Sequence, residues 1–313
     1  MKPTPFFFSR LDQRVYDIIK SFQPNVIFIP TARFWKLDRI PCVNMIRNME
    51  PLIYTNQNPF SERFINWIRY KEAYRCTINA DRVIATSDFV KSFLINKWNI
   101  DYKKIGLVYH GIKIPEHTDL QRPCQVPEDW KGKFIFTAGS IRPARGIEDV
   151  FFALKCLKNF SQIAGLVLAG TVPPRMHSYR KKLEKWIDEN NLSSIIRWTN
   201  NLHQDEMAWC YKNCFVFIMT SRVEACPNIA LEAMSYGCVS IVTDNKPMPE
   251  IFGDTARYYS AKDGDGLARS IQTILDWNVQ LRNEASEKAK KRASEFSWDI
   301  CANETIAELD TVV

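Results

Sequence analysis

The sequence predicts an α/β chain made of two Rossmann-like domains that face each other across a cleft. Three observations carry that expectation. Short runs rich in β-branched and aromatic residues alternate with longer amphipathic stretches, which is the rhythm of βαβ units and parallel sheets. Several of these runs are apolar at nearly every position, as strands covered on both faces are. The 313 residues suit two domains of ordinary size. The rhythm breaks once, across residues 115–133, where Pro115, Pro123 and Pro127 stand among charges without sustained periodicity.

The elements follow in order. Four strand candidates precede the break, at residues 26–30, 42–46, 82–86 and 105–109. Five follow it, at 134–138, 166–169, 195–199, 215–219 and 239–243. The domains are therefore placed at residues 1–120 and 134–295, with a linker at 121–133. A closing segment, 296–313, opens at Phe296-Ser-Trp298 as a helix that crosses back to the first domain, with Trp298 read as packing. The helix after residues 134–138 begins near Gly146 and aligns Ile147, Val150, Phe151, Leu154 and Leu157 along one stripe, a face made to pack on a sheet.

Composition narrows the class. The nine cysteines are scattered from Cys42 to Cys301 with no CxxC pair and no metal-ligand spacing, so a reduced, cytosolic compartment is expected. Phe6-Phe7-Phe8 is too short for a signal-peptide core, and no run approaches the ~20 apolar residues of a membrane span. The protein is expected to be soluble, or at most peripheral to the inner face of a membrane. The formal charge of +7 suits nucleic acid, an anionic membrane or a phosphorylated small molecule. The densest basic runs, Arg180-Lys181-Lys182 and residues 288–292, lie in Glu-rich helical patterns and read as solvated faces. No nucleic-acid-binding motif is visible, and no nucleic-acid partner is expected.

The chemistry concentrates in Ser221-Arg-Val-Glu-Ala-Cys-Pro-Asn-Ile-Ala-Leu-Glu-Ala-Met-Ser-Tyr-Gly237, which follows an apolar strand. Ligands of open α/β sheets bind at that carboxyl edge. Glu224 precedes the helix and Glu232 lies in its second turn, with Pro227 expected at the first helical position. The free N–H groups of Asn228 and Ile229 would point into the crevice and favour an anion. The glutamates would then address neutral hydroxyls, which donate to carboxylates. A second loop, Ala138-Gly-Ser-Ile-Arg-Pro-Ala-Arg-Gly146, carries Gly139, Ser140, Arg142 and Arg145 off a strand, and arginine forks match phosphate oxygens.

The spacing of Glu224 and Glu232, with Gly237 and Pro249-Glu250-Ile251 after them, resembles the Glu-x7-Glu signature of the family-4 retaining glycosyltransferases of group 1 type. Gly139-Ser-Ile-Arg-Pro-x-Arg-Gly146, Leu166-Val-Leu-Ala-Gly170, Ala80-Asp-Arg-Val-Ile-Ala-Thr-Ser87 and Val108-Tyr-His-Gly-Ile112 match in order. The resemblance spans roughly residues 15–300. It implies the GT-B fold and transfer of a sugar from a nucleoside-diphosphate sugar, UDP- or GDP-linked, to a hydroxyl acceptor with retained configuration. By the same resemblance, Arg142 and Arg145 hold the diphosphate and Glu224 the transferred sugar. Glu232 takes the ribose hydroxyls, Asn228 and Ile229 meet the sugar or phosphate, and Gly170 lies near the base. No metal and no cofactor are implied, since Arg side chains and helix N–H groups do the electrostatic work; the sequence has no Asp-x-Asp motif.

The first domain departs from the family. The glycine-rich strand-loop-helix with which members usually open has no counterpart, so that domain is expected to be short. Where a family histidine often closes the strand at 42–46, this chain has Arg47-Asn48. Arg47, Asn48, His110 and Gly111 are the acceptor-side candidates, and Glu250 is read as capping or bracing a helix. A sheet missing its first strands would expose an edge and part of a face. Self-association or a partner chain is therefore expected through this domain, near Phe6, Phe7, Phe8 and Tyr16. A donor-binding subunit that acts only with a partner is the alternative reading.

Overall fold

The structure, a computed structural model, describes residues 13–34, 40–53, 58–113, 119–157 and 162–313. Phe6, Phe7, Phe8 and Pro115 lie outside the described residues.

Two parallel sheets organise the chain. The first contains β1 (Ile27–Ile29), β2 (Cys42–Ile46), β3 (Arg82–Ala85) and β4 (Ile105–Leu107), in that spatial order. The second contains β5 (Phe134–Ala138), β6 (Gly165–Ala169), β7 (Ile196–Asn200), β8 (Val216–Met219), β9 (Ser240–Thr243) and β10 (Ala256–Tyr259). Its order, β10-β9-β8-β5-β6-β7, reverses direction at β5 and β8. At such a switch point the two flanking loops diverge to opposite sides of the sheet and leave a crevice between them. The nine expected strands all form, within a residue or two of their ends. The tenth, β10, is an edge strand whose half-exposed Arg257-Tyr258 lacks the apolar continuity of a central strand.

Helices of the first unit are α1 (Gln13–Phe22), α2 (Glu50–Ile53), α3 (Phe60–Asn79) and α4 (Asp88–Trp98). In the second, α5 (Glu148–Cys156), α6 (His177–Glu189), α7 (Gln204–Asn213), α8 (Asn228–Ser235), α9 (Met248–Phe252), α10 (Gly264–Leu275) and α11 (Val279–Ala293) cover both faces, and α12 (Trp298–Asp310) follows. The stripe Ile147, Val150, Phe151, Leu154 and Leu157 is buried, joining Leu166, Leu168 and Ile218 in one core. Phe136, Phe217, Leu231, Met234 and Phe252 build the core on the opposite face. Val126 and Trp130 belong to that second core, so the later half of the expected linker packs on the second sheet.

The face of the first sheet that the sequence left uncovered is closed from the far end of the chain. Cys301, Leu309 and Val312, on and just after α12, pack on Val43, Met45, Ile84 and Val108. Glu308 forms an ion pair with Arg82 and lies against Gly106, where a Cβ would stand 2.1 Å from its carboxyl carbon. Ile112 donates its N–H to the Phe296 carbonyl at 2.8 Å, anchoring the crossing. The first sheet thus has an apolar core on each face, and its exposure is confined to its edges and outer helices. β1 is one such edge, and on α1 Tyr16 is exposed and no residue is buried.

Candidate functional site

The loops at the carboxyl edge of the second sheet enclose a cavity of about 940 Å³, a size that holds a ligand larger than a simple sugar. Its floor is the meeting of two glycines. Gly139 follows β5 with φ +128° and Gly170 follows β6 with φ +148°, conformations that L side chains rarely adopt. A Cβ on Gly170 would lie 1.8 Å from the Gly139 carbonyl oxygen, so bare backbone is the only surface that fits there. Ser140 lines the same wall.

Helix α8 forms the opposite wall. Pro227 is its N-cap, at φ −79° and ψ 114°, and Asn228 its first residue. The proline therefore stands one position earlier than the sequence suggested, because its extended ψ cannot enter a helical turn. Asn228, Ile229 and Glu232 all border the cavity, which places the free N–H groups of the first turn beside it. The Glu232 carboxylate accepts a hydrogen bond from the Tyr211 hydroxyl at 2.9 Å. Burial raises its pKa above the usual carboxylate value, and the Tyr211 bond opposes that rise.

Arg142, Arg145 and Glu224 do not line this cavity; Arg145 borders a smaller adjoining pocket with Gly139 and Ser221, and both arginines are held by carboxylates. Arg142 donates to Glu50 at 2.5 Å, across the two domains. Glu50 begins α2, is itself buried, and also accepts from Asn58 at 3.1 Å. Arg145 pairs with Glu224. It also donates to Ser221 Oγ at 3.2 Å, and Ser221 Oγ donates to Glu224 at 2.8 Å. Burial, with neighbouring Arg142, pulls Arg145 down to about 10, and Glu50 resists the shift. A guanidinium at that value stays charged at neutral pH. Arg142 Nε has no hydrogen-bond partner among the described residues.

Further contacts join the two domains. Glu250 accepts from the Asp88 and Phe89 amides at 2.6 and 3.1 Å, capping α4, and from the Tyr109 hydroxyl at 2.7 Å. His110 Nδ1 meets Asn228 Oδ1 at 2.9 Å. Burial lowers the His110 pKa below the usual histidine value, against the Asn228 bond, so the ring is neutral at pH 7. Its Nε2 has no partner among the described residues. Gly111 borders the cavity because Trp298 stands against it: a Cβ there would meet the Trp298 amide nitrogen at 2.4 Å.

The other acceptor-side candidates stand elsewhere. Arg47 is exposed, donates to the Pro30 carbonyl at 3.5 Å, and stands near enough to His110 for its charge to help lower that ring's pKa. Asn48 accepts the Glu50 amide at 3.0 Å in a local turn that starts α2. Trp298, expected to pack, is half exposed and lines the cavity, because the chain leaves Ser297 for α12 at the mouth. Sequence reasoning also passed over Glu50, Tyr211 and Asn200-Asn201-Leu202. Asn200 closes β7, Asn201 and Leu202 follow it, and all three line the cavity; their place at the carboxyl edge of a strand is the signal that could have found them. Among the described residues no His, Cys, Asp and Glu cluster is arranged to hold a metal, and no helix is long and apolar enough to cross a membrane.

Comparison with known proteins agrees with this geometry. The family model for glycosyl transferases group 1 matches residues 123–292, and that for glycosyltransferase family 4 matches residues 2–114. A glycosyltransferase of Methanocaldococcus jannaschii is 26% identical over 247 residues, 74% of this chain and 60% of the relative. The O-antigen chain mannosyltransferase B of Escherichia coli is 23% identical over 252 residues, 76% and 63% of the two chains. The chain thus spans about three-fifths of the length of these relatives. Among solved structures, Anabaena HepE in complex with UDP-glucose superposes with a TM-score of 0.76 at 16% identity, over 99% of this chain and 84% of that one. A glycosyltransferase from Rickettsia africae gives 0.74 at 15%, over 100% and 83%. The fold these share is GT-B, two Rossmann-like domains facing across a cleft. With its own two parallel sheets, their intervening cavity and the family model over residues 123–292, the chain belongs to the glycosyl transferases group 1.

Proposed function

We propose that this chain transfers a sugar from a UDP- or GDP-sugar to a hydroxyl acceptor with retention of anomeric configuration and without a metal. The observation that carries the reading is the cavity itself, where bare glycine backbone, a helix N-terminus and the Glu232 carboxylate converge. Glu232 takes the ribose hydroxyls and Gly170 leaves room for the base. The first turn of α8 meets the phosphates or the sugar. Arg145 and Arg142 exchange their carboxylates for the diphosphate, which frees Glu224 to accept from sugar hydroxyls. As the bond from the anomeric carbon to the diphosphate breaks, the leaving group gains charge, and the two guanidiniums and the helix N–H groups stabilise it. The acceptor oxygen bonds to the same face of the sugar and passes its proton to a donor phosphate oxygen.

The similarity to HepE bound to UDP-glucose and to a mannosyltransferase supports a nucleoside-diphosphate sugar as donor. Thermal-shift measurement with UDP-, GDP-, ADP- and CMP-sugars tests it, since a ligand selective for the folded state raises the apparent Tm. A rise with the UDP- or GDP-sugar is expected, and no response to either refutes the donor reading. Turnover is expected to persist in EDTA. Its complete loss, restored by Mg²⁺ or Mn²⁺, would show that a metal carries the diphosphate.

Glu232 yields a prediction in which stability and binding move in opposite directions. Its folded pKa lies above the unfolded one, so its contribution to stability is fully present below the unfolded pKa and is lost as pH rises through the folded pKa. At neutral pH the buried charge is a liability. Glu232→Gln is therefore expected to raise Tm at pH 7 while weakening nucleotide binding roughly tenfold to a hundredfold. Nucleotide affinity of wild type falls as pH drops through the raised pKa. Calorimetric titration and a melting curve on the same variant decide it; unchanged affinity would remove Glu232 from the donor site.

A further inference from the structure

Helix α3 is apolar on two sides: Ala73, Tyr70 and Tyr74 pack on the core of the first domain beside the buried Glu62, Asn66 and Thr77, while Phe60, Phe64, Trp67 and Ile78 face outward, Phe60 at 82% and Trp67 at 57% exposure. Positions 60, 64, 67, 71, 75 and 78 are spaced by three and four residues and so form one stripe along the helix. Its first half is aromatic, with Phe64 and Trp67 stacked at 6.2 Å between ring centroids. Its second half is basic, with Lys71 and Arg75 exposed and Arg63 on its flank. The helix's two acids are turned away: Glu62 pairs with Arg69 and Arg175, and Glu72 with Arg33. An exposed aromatic patch beside unopposed cations is a surface awaiting a partner.

We infer that this face of α3 docks on an anionic lipid bilayer and sets the cleft at the membrane surface, so that the acceptor is lipid-linked. Aromatic rings settle at the apolar–polar boundary of a bilayer, and clustered Lys and Arg are attracted to acidic headgroups. A second copy is the poorer occupant, because pairing this face with itself brings Arg63, Lys71 and Arg75 of both copies into one interface while both acids of the helix are paired elsewhere. The face is also coupled to the site. Arg142 bonds to Glu50 and Glu50 to Asn58, and α3 begins two residues later at Phe60. Glu62, half a turn from Phe64 and on the opposite face of the helix, meets Arg175 of the second domain at 3.5 Å. The aromatic end of the helix thus adjoins the cleft. The surface itself stands independently of the transferase reading; only the lipid-linked acceptor rests on it.

The test is co-sedimentation of the whole chain with phosphatidylglycerol-containing vesicles and with pure phosphatidylcholine vesicles. Binding to the first and weak binding to the second is expected. Phe64→Ser/Trp67→Ser and Lys71→Glu/Arg75→Glu should each weaken it by roughly tenfold or more, with unchanged nucleotide binding by titration. A wild-type chain that stays in the supernatant with both vesicles overturns the proposal, as does a pair of variants that sediments like wild type. So does a solution dimer, seen by analytical ultracentrifugation, that Phe64→Ser/Trp67→Ser dissolves, since the face then joins two copies. Failure of nucleotide binding in wild type would count against the donor site alone and leave the vesicle result standing.

Discussion

Arg145→Ala is expected to slow sugar transfer by roughly two to three orders of magnitude, the scale of removing one preorganised donor from a developing oxyanion. Arg145 is enclosed between Ser221, Glu224 and the β5 loop, with Thr220 holding its own carbonyl at 2.6 Å. The variant also strips Glu224 of its cation, so the two residues should behave as one unit. Arg145→Ala combined with Glu224→Gln should cost little more than the worse single change. Arg145→Lys should recover only part of the rate, because the ammonium keeps the charge and loses the planar fork. The measurement is kcat at saturating donor, with Tm as a check on the fold. An Arg145→Ala variant that keeps wild-type kcat would remove this residue from the reaction.

The largest stability effect is expected at Asp149→Ala, a loss of about 3–5 kcal/mol. Asp149 stands at the start of α5 and accepts two bonds from Arg222, both at 2.6 Å, and one each from the Tyr259 hydroxyl and the Lys262 amide at 2.9 Å. Both members of the ion pair are almost entirely buried, with side-chain exposures of 7% and 4%. Removing the carboxylate leaves a guanidinium charged, enclosed and unpaired. Replacing both members by apolar residues of similar size, Asp149→Leu with Arg222→Met, should recover much of the loss, since the desolvation cost leaves with the charges. Urea unfolding reads both. A loss below about 1 kcal/mol in Asp149→Ala would show that Arg222 finds water or another acceptor. Arg222 sits between Ser221 and Glu224 in sequence, so this pair also fixes how that loop leaves β8.

The sequence carried the strands because each is a local requirement. A strand covered on both faces must be apolar throughout, and so nine runs could be read from composition alone. Gly139 and Gly170 were legible through the ordered motifs of the family resemblance; the positive φ of each and the close approach of the two, at 1.8 Å for an added Cβ, came from the structure. Glu224 and Glu232 were recognisable by their spacing around one helix start. The edge strand β10, half exposed and lacking an unbroken apolar run, left too weak a pattern to read.

What tertiary structure alone decided is where side chains go once distant elements meet. Nothing local couples Glu50 to Arg142, 92 residues apart, or turns Glu250 toward the amides of α4 across 162. Trp298 had the sequence of a packing residue and became a wall of the cavity, because the chain enters α12 at the cleft's mouth. The crossing of α12 back to the first domain was expected from the sequence; that it closes the face of the first sheet that counting strands had left open was decided by packing. The stripe on α3 was hidden for the converse reason: aromatics every three or four residues read as a core face until the fold packs the other side of the helix, with Tyr70, Ala73 and Tyr74, on the first domain. Periodicity fixes which residues share a face, and only the packing of the whole chain decides whether that face looks inward or out.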